Sequence, residues 1–288
     1  MSNTYYQPTN LADALHIKNE NDGLLILAGG TDLVIEMRNS MNDFALMSLS
    51  KIKGLRTITE NDQTIRVGAM ATFTDIAENK VIGTYAKALS LASASVGALQ
   101  IRNRGTIGGS ICNANPAADV VPVLVCLEAL VCLAAITADT IHYRRIPIEQ
   151  FILARHKTSI GSKELVVGVE FKKLNPQAAV SFEKIGRRKA LAIARLNGAC
   201  LIEKSGRTIT NMVFSIGAAT SSPYRGRTLE QLFIGKGIDD ELLKTAGDMV
   251  VSQITALTGV RKSSVYKYPV IRKLTAKLIQ SAYDEAVE

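Results

Sequence analysis

Tryptophan is absent from this 288-residue chain, and other rings are few, 8 Tyr and 7 Phe. That excludes a stacking platform for single-stranded nucleic acid, which needs a series of exposed rings. The four cysteines, Cys112, Cys126, Cys132 and Cys200, include no CxxC or CxxxxC pair. Neither a structural zinc site nor an iron–sulfur cluster has its usual spacing. Three of the four lie in apolar stretches and read as small core residues, so disulfides are not expected and a reducing compartment fits. Gly (21) and Pro (7) are not enriched, which removes collagen-like and low-complexity readings. No apolar run is long: Val120–Leu127 ends at Glu128 and Ala129–Ala138 at Asp139. Both fall short of the ~18–20 residues that a membrane helix needs. Met1–Asn10 is polar and lacks the apolar segment of a signal peptide. A cytoplasmic protein is expected.

Catalytic patterns are also missing. The three histidines, His16, His142 and His156, are scattered without an HExxH and read as surface or satisfied core residues. No nucleophile–base pair and no recurring carboxylate pair stands out. If the chain is an enzyme, its chemistry belongs to a bound cofactor.

What is present is a net charge of +8. The densest basic stretch runs from Lys172 to Lys189 and holds Lys172, Lys173, Lys184, Arg187, Arg188 and Lys189 against Glu183. Such a run reads as a solvated face, or as a docking surface for an acidic partner or an anionic cofactor. No zinc finger, RNP-type motif or recognition helix accompanies it.

The apolar spacing predicts helix at Leu11–Asn19, strand at Leu24–Ala28, a helix capped by Thr31 or Asp32 through Arg38, and strand at Phe44–Leu49. A strand at Thr64–Val67 precedes a capping box, Thr72 and Asp75. Thr84–Val96 has helical period. Arg102–Ala118, rich in Gly and Asn, breaks that pattern. Asp119 caps a helix to Glu128, and Leu130–Ala135 is a buried strand. Leu165–Phe171 is a strand that ends in a basic, Pro-terminated boundary at Lys172–Pro176. Beyond it, Val180–Ile185, Ala199–Glu203 and Asn211–Gly217 read as strands. Leu229–Phe233, Asp239–Ile254 and Tyr268–Ala286 read as helices, giving an α+β pattern.

Two segments carry chemistry. In Leu27, Ala28, Gly29, Gly30, Thr31, Asp32 and Leu33, an apolar strand turns on two glycines into a helix start. Glycines bring backbone N–H groups close to a ligand, and a helix start favours an anion. The spacing fits neither GxGxxG nor GxxxxGK[ST]. In the second segment, Thr106, Ile107, Gly108, Gly109 and Ser110 are followed by Asn113 and Asp119, short polar side chains in a tight span. Two such turns suit a ligand with two phosphates. A third stretch, Phe182–Ala194, passes through a basic knot, where Lys184 can face an anionic ring edge or a phosphate.

Together, Ala28–Asp32 and Thr106–Ser110, with Gln100–Asn103 upstream and Asn113 and Asp119 downstream, resemble the FAD-binding subunit of molybdenum hydroxylases, the xanthine dehydrogenase and carbon monoxide dehydrogenase family. The likeness extends over nearly the whole chain: Tyr6 and Pro8 at the start, Phe182–Ala194, Ala218–Gly235, and Arg261, Ser263 and Tyr266. The resemblance implies an α+β protein. It has a vanillyl-alcohol-oxidase-type FAD-binding domain over 1–176, in subdomains of about 1–60 and 61–176, and a C-terminal α+β domain over 177–288. It implies non-covalent FAD, since no His or Cys matches a covalent link. Leu27–Leu33 and Thr106–Ser110 would hold the phosphates mostly through backbone N–H groups. Asn113 and Asp119 would bond polar groups along the cofactor, Val166 would touch the ring system, and Lys184 would sit near it. Ser110 stands where many relatives carry Asn, and the Cys-rich insertion of one branch is missing, so no cluster is expected in this chain. The implied activity is that of an oxidoreductase subunit. It takes electrons from a partner [2Fe–2S] subunit, fed by a molybdopterin-binding subunit, and passes them to NAD(P) or another acceptor. The alternatives are a self-contained flavoenzyme of the enolpyruvyl-UDP-acetylglucosamine reductase type, which needs its own substrate site and proton donor, and a basic nucleic-acid-binding module.

Overall fold

A computed structural model describes residues 4–38, 44–188 and 191–287. Lys189 and Ala190 of the basic stretch, and Met1–Asn3, lie outside the described residues. The chain begins with β1 (Thr4–Tyr6), α1 (Leu11–Glu20), β2 (Leu25–Leu27), α2 (Leu33–Arg38) and β3 (Ala45–Ser48). Next come β4 (Ile58–Glu60), β5 (Thr64–Gly68), α3 (Phe73–Glu78), α4 (Lys80–Tyr85), α5 (Lys87–Ala94), α6 (Leu99–Arg102), α7 (Ile107–Asn113) and α8 (Val120–Cys126). The middle holds β6 (Leu130–Thr137), β7 (Thr140–Pro147), α9 (Ile148–Phe151), β8 (Ile152–Ala154), β9 (Lys157–Thr158) and β10 (Leu165–Lys172). The last part is β11 (Ala179–Ile185), β12 (Leu196–Ser205), β13 (Thr208–Gly217), β14 (Tyr224–Arg225), α10 (Arg227–Phe233), α11 (Asp240–Thr258) and α12 (Ser264–Glu285).

These elements group into two units that are not contiguous in sequence. The first comprises Met1–Ile76, Ala98–Asn115 and Ala129–Lys172; the second comprises Ala77–Gly97, Pro116–Glu128 and Lys173–Glu288. Ala77–Gly97, Pro116–Glu128 and the short end at residues 173–176, all inside the expected 1–176 domain, therefore group with the C-terminal part.

The first unit holds a parallel sheet, β1-β3-β2, and a five-stranded sheet, β4-β5-β10-β6-β7. The apolar positions of α1 explain its seat: Ala14 and Leu15 are buried with Leu24, Met47 and Leu49, and the same cluster takes in Ala134, Ile136 and Val167 from the larger sheet. The capping box forms as the sequence predicts. Asp75 Oδ2 accepts from Thr72 N at 2.9 Å, and Thr72 Oγ1 accepts from Asp75 N at 3.1 Å.

The second unit is built on an antiparallel sheet, β11-β12-β13-β14. Alternation along its strands sends Cys200, Ile202, Met212, Phe214 and Ile216 into a core shared with α10, α11 and α12. The opposite face carries α8. A Cβ on Gly198 would meet Leu278 of α12, whereas one on Gly217 would meet Pro122 of α8. All seven residues of α8 are buried.

Three expectations need correction. The helical stretch Thr84–Val96 breaks at Ala86, where the backbone leaves the helical region (φ −149°, ψ 47°). Asn79 caps α4, which ends there, and α5 starts afresh at Lys87. The glycine-rich span after Arg102 is not irregular throughout, because Thr106 caps a helix over Ile107–Asn113. Asp119 does precede α8 but makes no side-chain cap; its carboxylate is bonded elsewhere.

Candidate functional site

The two Gly-Gly turns lie side by side in the first unit. β2 delivers Leu27 and Ala28 into the first turn, where Gly30 takes φ +75°, a conformation open to glycine. The second turn is fixed by β5 and the chain beyond it: Gly108 N donates to Ala69 O at 2.9 Å, Ile107 N to Ala71 O at 3.0 Å and Phe73 N to Gly105 O at 3.0 Å. A Cβ on Gly29 would lie 2.0 Å from Arg104 O, so the first turn rests directly on the chain that enters the second. Arg104 Nε also donates to Gly29 O at 3.3 Å. A Cβ on Gly109 would stand 3.6 Å from that of Ala28.

The turns differ in what they offer. In the second, Ile107, Gly108 and Ser110 N–H groups donate to backbone carbonyls, and Gly109 N donates to Thr106 Oγ1 at 3.1 Å. In the first, the N–H groups of Gly29, Gly30, Thr31 and Asp32 have no acceptor among the described residues. The open backbone donors thus belong to the first turn. The second presents the Ser110 hydroxyl and a strip at Gly109 free of side chain. Buried or half-buried N–H groups left open are costly, and an anion satisfies them. This cradle, which a Cβ at Gly109 would begin to fill, fits the diphosphate of a dinucleotide.

Asn113 ends α7, and His156 Nδ1 lies 2.8 Å from its carbonyl oxygen and 3.0 Å from its Oδ1. Val166 is buried in β10, where a bulge between Val166 and Gly168 shifts the register with β6. Val167 O there accepts from Ala69 N, the residue on which Gly108 rests.

Asp119 and Lys184 belong to the second unit and are each other's partners, with Lys184 Nζ donating to Asp119 Oδ2 at 2.5 Å. Lys184 also reaches Ser95 O at 2.8 Å, and Asn197 Nδ2 donates to Asp119 Oδ1 at 3.2 Å. Burial pushes the Asp119 carboxyl above the usual carboxylate range, although Lys184 and Asn197 both favour its charge. Lys184, counted in sequence within a basic surface run, is turned inward and 13% exposed.

Sequence reasoning missed Arg104, His156 and Asn197. Arg104 lies inside the glycine motif, so its place was readable. His156 and Asn197 are bound to their partners by the fold alone. Among the described residues no group of side chains could hold a metal ion, and no helix is long and apolar enough to cross a membrane.

Comparison with known proteins agrees across the chain. A family described as the FAD binding domain in molybdopterin dehydrogenase matches residues 1–172, and the CO dehydrogenase flavoprotein C-terminal domain matches 181–282. The chain is 28% identical over 276 residues to the glyceraldehyde dehydrogenase medium chain of Sulfolobus acidocaldarius, covering 95% of this chain and 96% of that one. It is 25% identical to the nicotinate dehydrogenase FAD-subunit of Eubacterium barkeri, covering 98% and 96%. In fold it is similar to a solved carbon monoxide dehydrogenase from Hydrogenophaga pseudoflava, with a TM-score of 0.91 at 22% identity over 100% of this chain and 99% of that one.

Proposed function

The chain belongs to the FAD-binding medium subunits of molybdenum hydroxylases, the carbon monoxide dehydrogenase and xanthine dehydrogenase family, and is an oxidoreductase flavoprotein subunit; from this we propose that it holds one non-covalent FAD and relays electrons from a partner [2Fe–2S] subunit to NAD(P) or another acceptor. The observation that supports the cofactor site most directly is the pair of abutting glycine turns with open N–H groups from Gly29 to Asp32. When bound, FAD supplies the exchange between one-electron iron–sulfur chemistry and two-electron acceptor chemistry.

In this reading the chain's residues bind and orient. Gly29–Asp32 donate backbone N–H groups to the diphosphate. Gly109 leaves room for it, Thr106 fixes the turn, and the Ser110 hydroxyl and Asn113 amide bond polar groups along the cofactor. Val166 offers apolar contact to the ring system. Substrate oxidation is assigned to a molybdopterin-binding partner, in keeping with a chain that showed neither metal-ligand spacing nor an acid–base pair in its sequence.

The test is direct. The purified chain is expected to be yellow, to release its flavin on acid precipitation, and to reduce an artificial acceptor at the expense of NADH or NADPH at most. Turnover of an organic substrate should require the iron–sulfur and molybdenum partners. Turnover by the chain alone would instead favour a self-contained reductase, and a chain that stays colourless after incubation with FAD would sink the cofactor assignment.

A further inference from the structure

We propose that His156 is a positioning residue for the cofactor site: it clamps the Asn113 side chain so that the amide NH2 faces outward as a donor. The proposal rests on the reading of Asn113 as a cofactor contact and goes beyond it by naming what holds that amide.

The hairpin of β8 and β9 places His156 at its turn. There the residue adopts φ +55°, and its backbone N donates to Ala114 O at 3.1 Å. Ala114 is itself left-handed, at φ +47°. Two non-glycine residues in this unfavoured region therefore face one another across one contact. Strain of that kind persists only where the surroundings fix it, and it gathers at functional sites.

The imidazole supplies the reason. Nδ1 is within hydrogen-bond distance of both Asn113 O and Asn113 Oδ1. A backbone carbonyl can only accept, so Nδ1 carries the proton. The side-chain amide must then turn its oxygen toward the ring. Its Nδ2 points away and has no acceptor among the described residues. A free Asn side chain has several rotamers and can present either end of its amide; this one is fixed with two donors outward. Glycine would suit the backbone of position 156 better, so what His156 adds is the ring. Asn would also suit this backbone, and its Nδ2 stands where the imidazole Nδ1 does.

The experiment is titration of the full-length apoprotein with FAD, followed by flavin absorbance. His156→Gly keeps the left-handed turn and removes the clamp, so affinity should fall roughly three- to tenfold, the worth of one hydrogen bond. His156→Asn restores a donor at the same place and should return affinity to within about twofold of wild type. Asn113→Ala should lose as much as His156→Gly, and the double variant no more than either alone, because one contact acts through the other. Additive losses, an Asn variant no better than Gly, a Gly variant of unchanged affinity, or a Gly variant that fails to fold would each overturn the proposal. Wild-type apoprotein that takes up no FAD would be a separate result, overturning the cofactor reading and this one with it.

Discussion

A methyl group added at Gly29 would sit 2.0 Å from the Arg104 carbonyl oxygen, whereas one added at Gly109 would meet nothing closer than the Thr106 hydroxyl at 3.1 Å. The two glycines should therefore fail differently. Gly29→Ala is expected to lower the melting temperature of the apoprotein, an overpacking cost of about 1–3 kcal/mol. Gly109→Val is expected to leave circular dichroism close to wild type and to abolish FAD binding, seen as loss of colour. A yellow Gly109→Val protein would remove that glycine from the site. The buried pair gives a second contrast. Lys184→Met leaves Asp119 without its ammonium partner, which costs about 3–5 kcal/mol when such a carboxylate stays charged. Burial already holds the Asp119 carboxyl above its ordinary value, and losing Lys184 raises it further. A raised carboxyl has its full stability below the unfolded value, ~3.9, and loses it as pH rises. Denaturant melts should accordingly show the Lys184→Met deficit largest near neutral pH and smallest below about pH 4.

At the scale of elements, α3 depends on its first turn. Burial alone would raise the Asp75 carboxyl, but bonds from Arg56 and from Thr72 outweigh it and hold the group below the usual range. A depressed carboxyl stabilises above its unfolded value and loses that contribution as pH falls through the folded one. Asp75→Asn should thus cost about 1–2 kcal/mol at pH 7 and little in strong acid, read from urea melts. That capping box was legible because its parts are three residues apart. So were most strands of the second unit, β12 and β13 above all, whose apolar runs are buried almost without a break because helices cover both faces of the sheet. Strand β7 was not: its residues are mostly exposed, it forms the edge of its sheet, and only backbone pairing with β6 makes it a strand. Helix α7 was hidden by the low helix propensity of Gly108, Gly109 and Ser110, offset here by the Thr106 cap. The glycine turns were readable as a motif; that only the first keeps its N–H groups open depends on Ala69 and Ala71, and no local pattern carries that.

For the whole molecule, the interleaving of the units matters most. A fragment ending at Lys172 contains all of the first unit, and it retains α8, whose seven residues are all buried against β12, β13 and their surroundings. Such a fragment is expected to aggregate, with size-exclusion chromatography showing no discrete monomer. Exchanging Val121 and Val125 for Lys in the fragment should improve its solubility. A discrete monomeric fragment without those exchanges would argue that α8 finds another seat.

The same threading sets a timetable on the ribosome. Helix α8 leaves the tunnel about ninety residues before the end of β13, and at about 5–20 residues per second its greasy surface waits on the order of ten seconds for a place to dock. A newborn chain of this kind calls for a holding chaperone during that interval, and slowing translation between residues 126 and 217 should lower the yield of folded product.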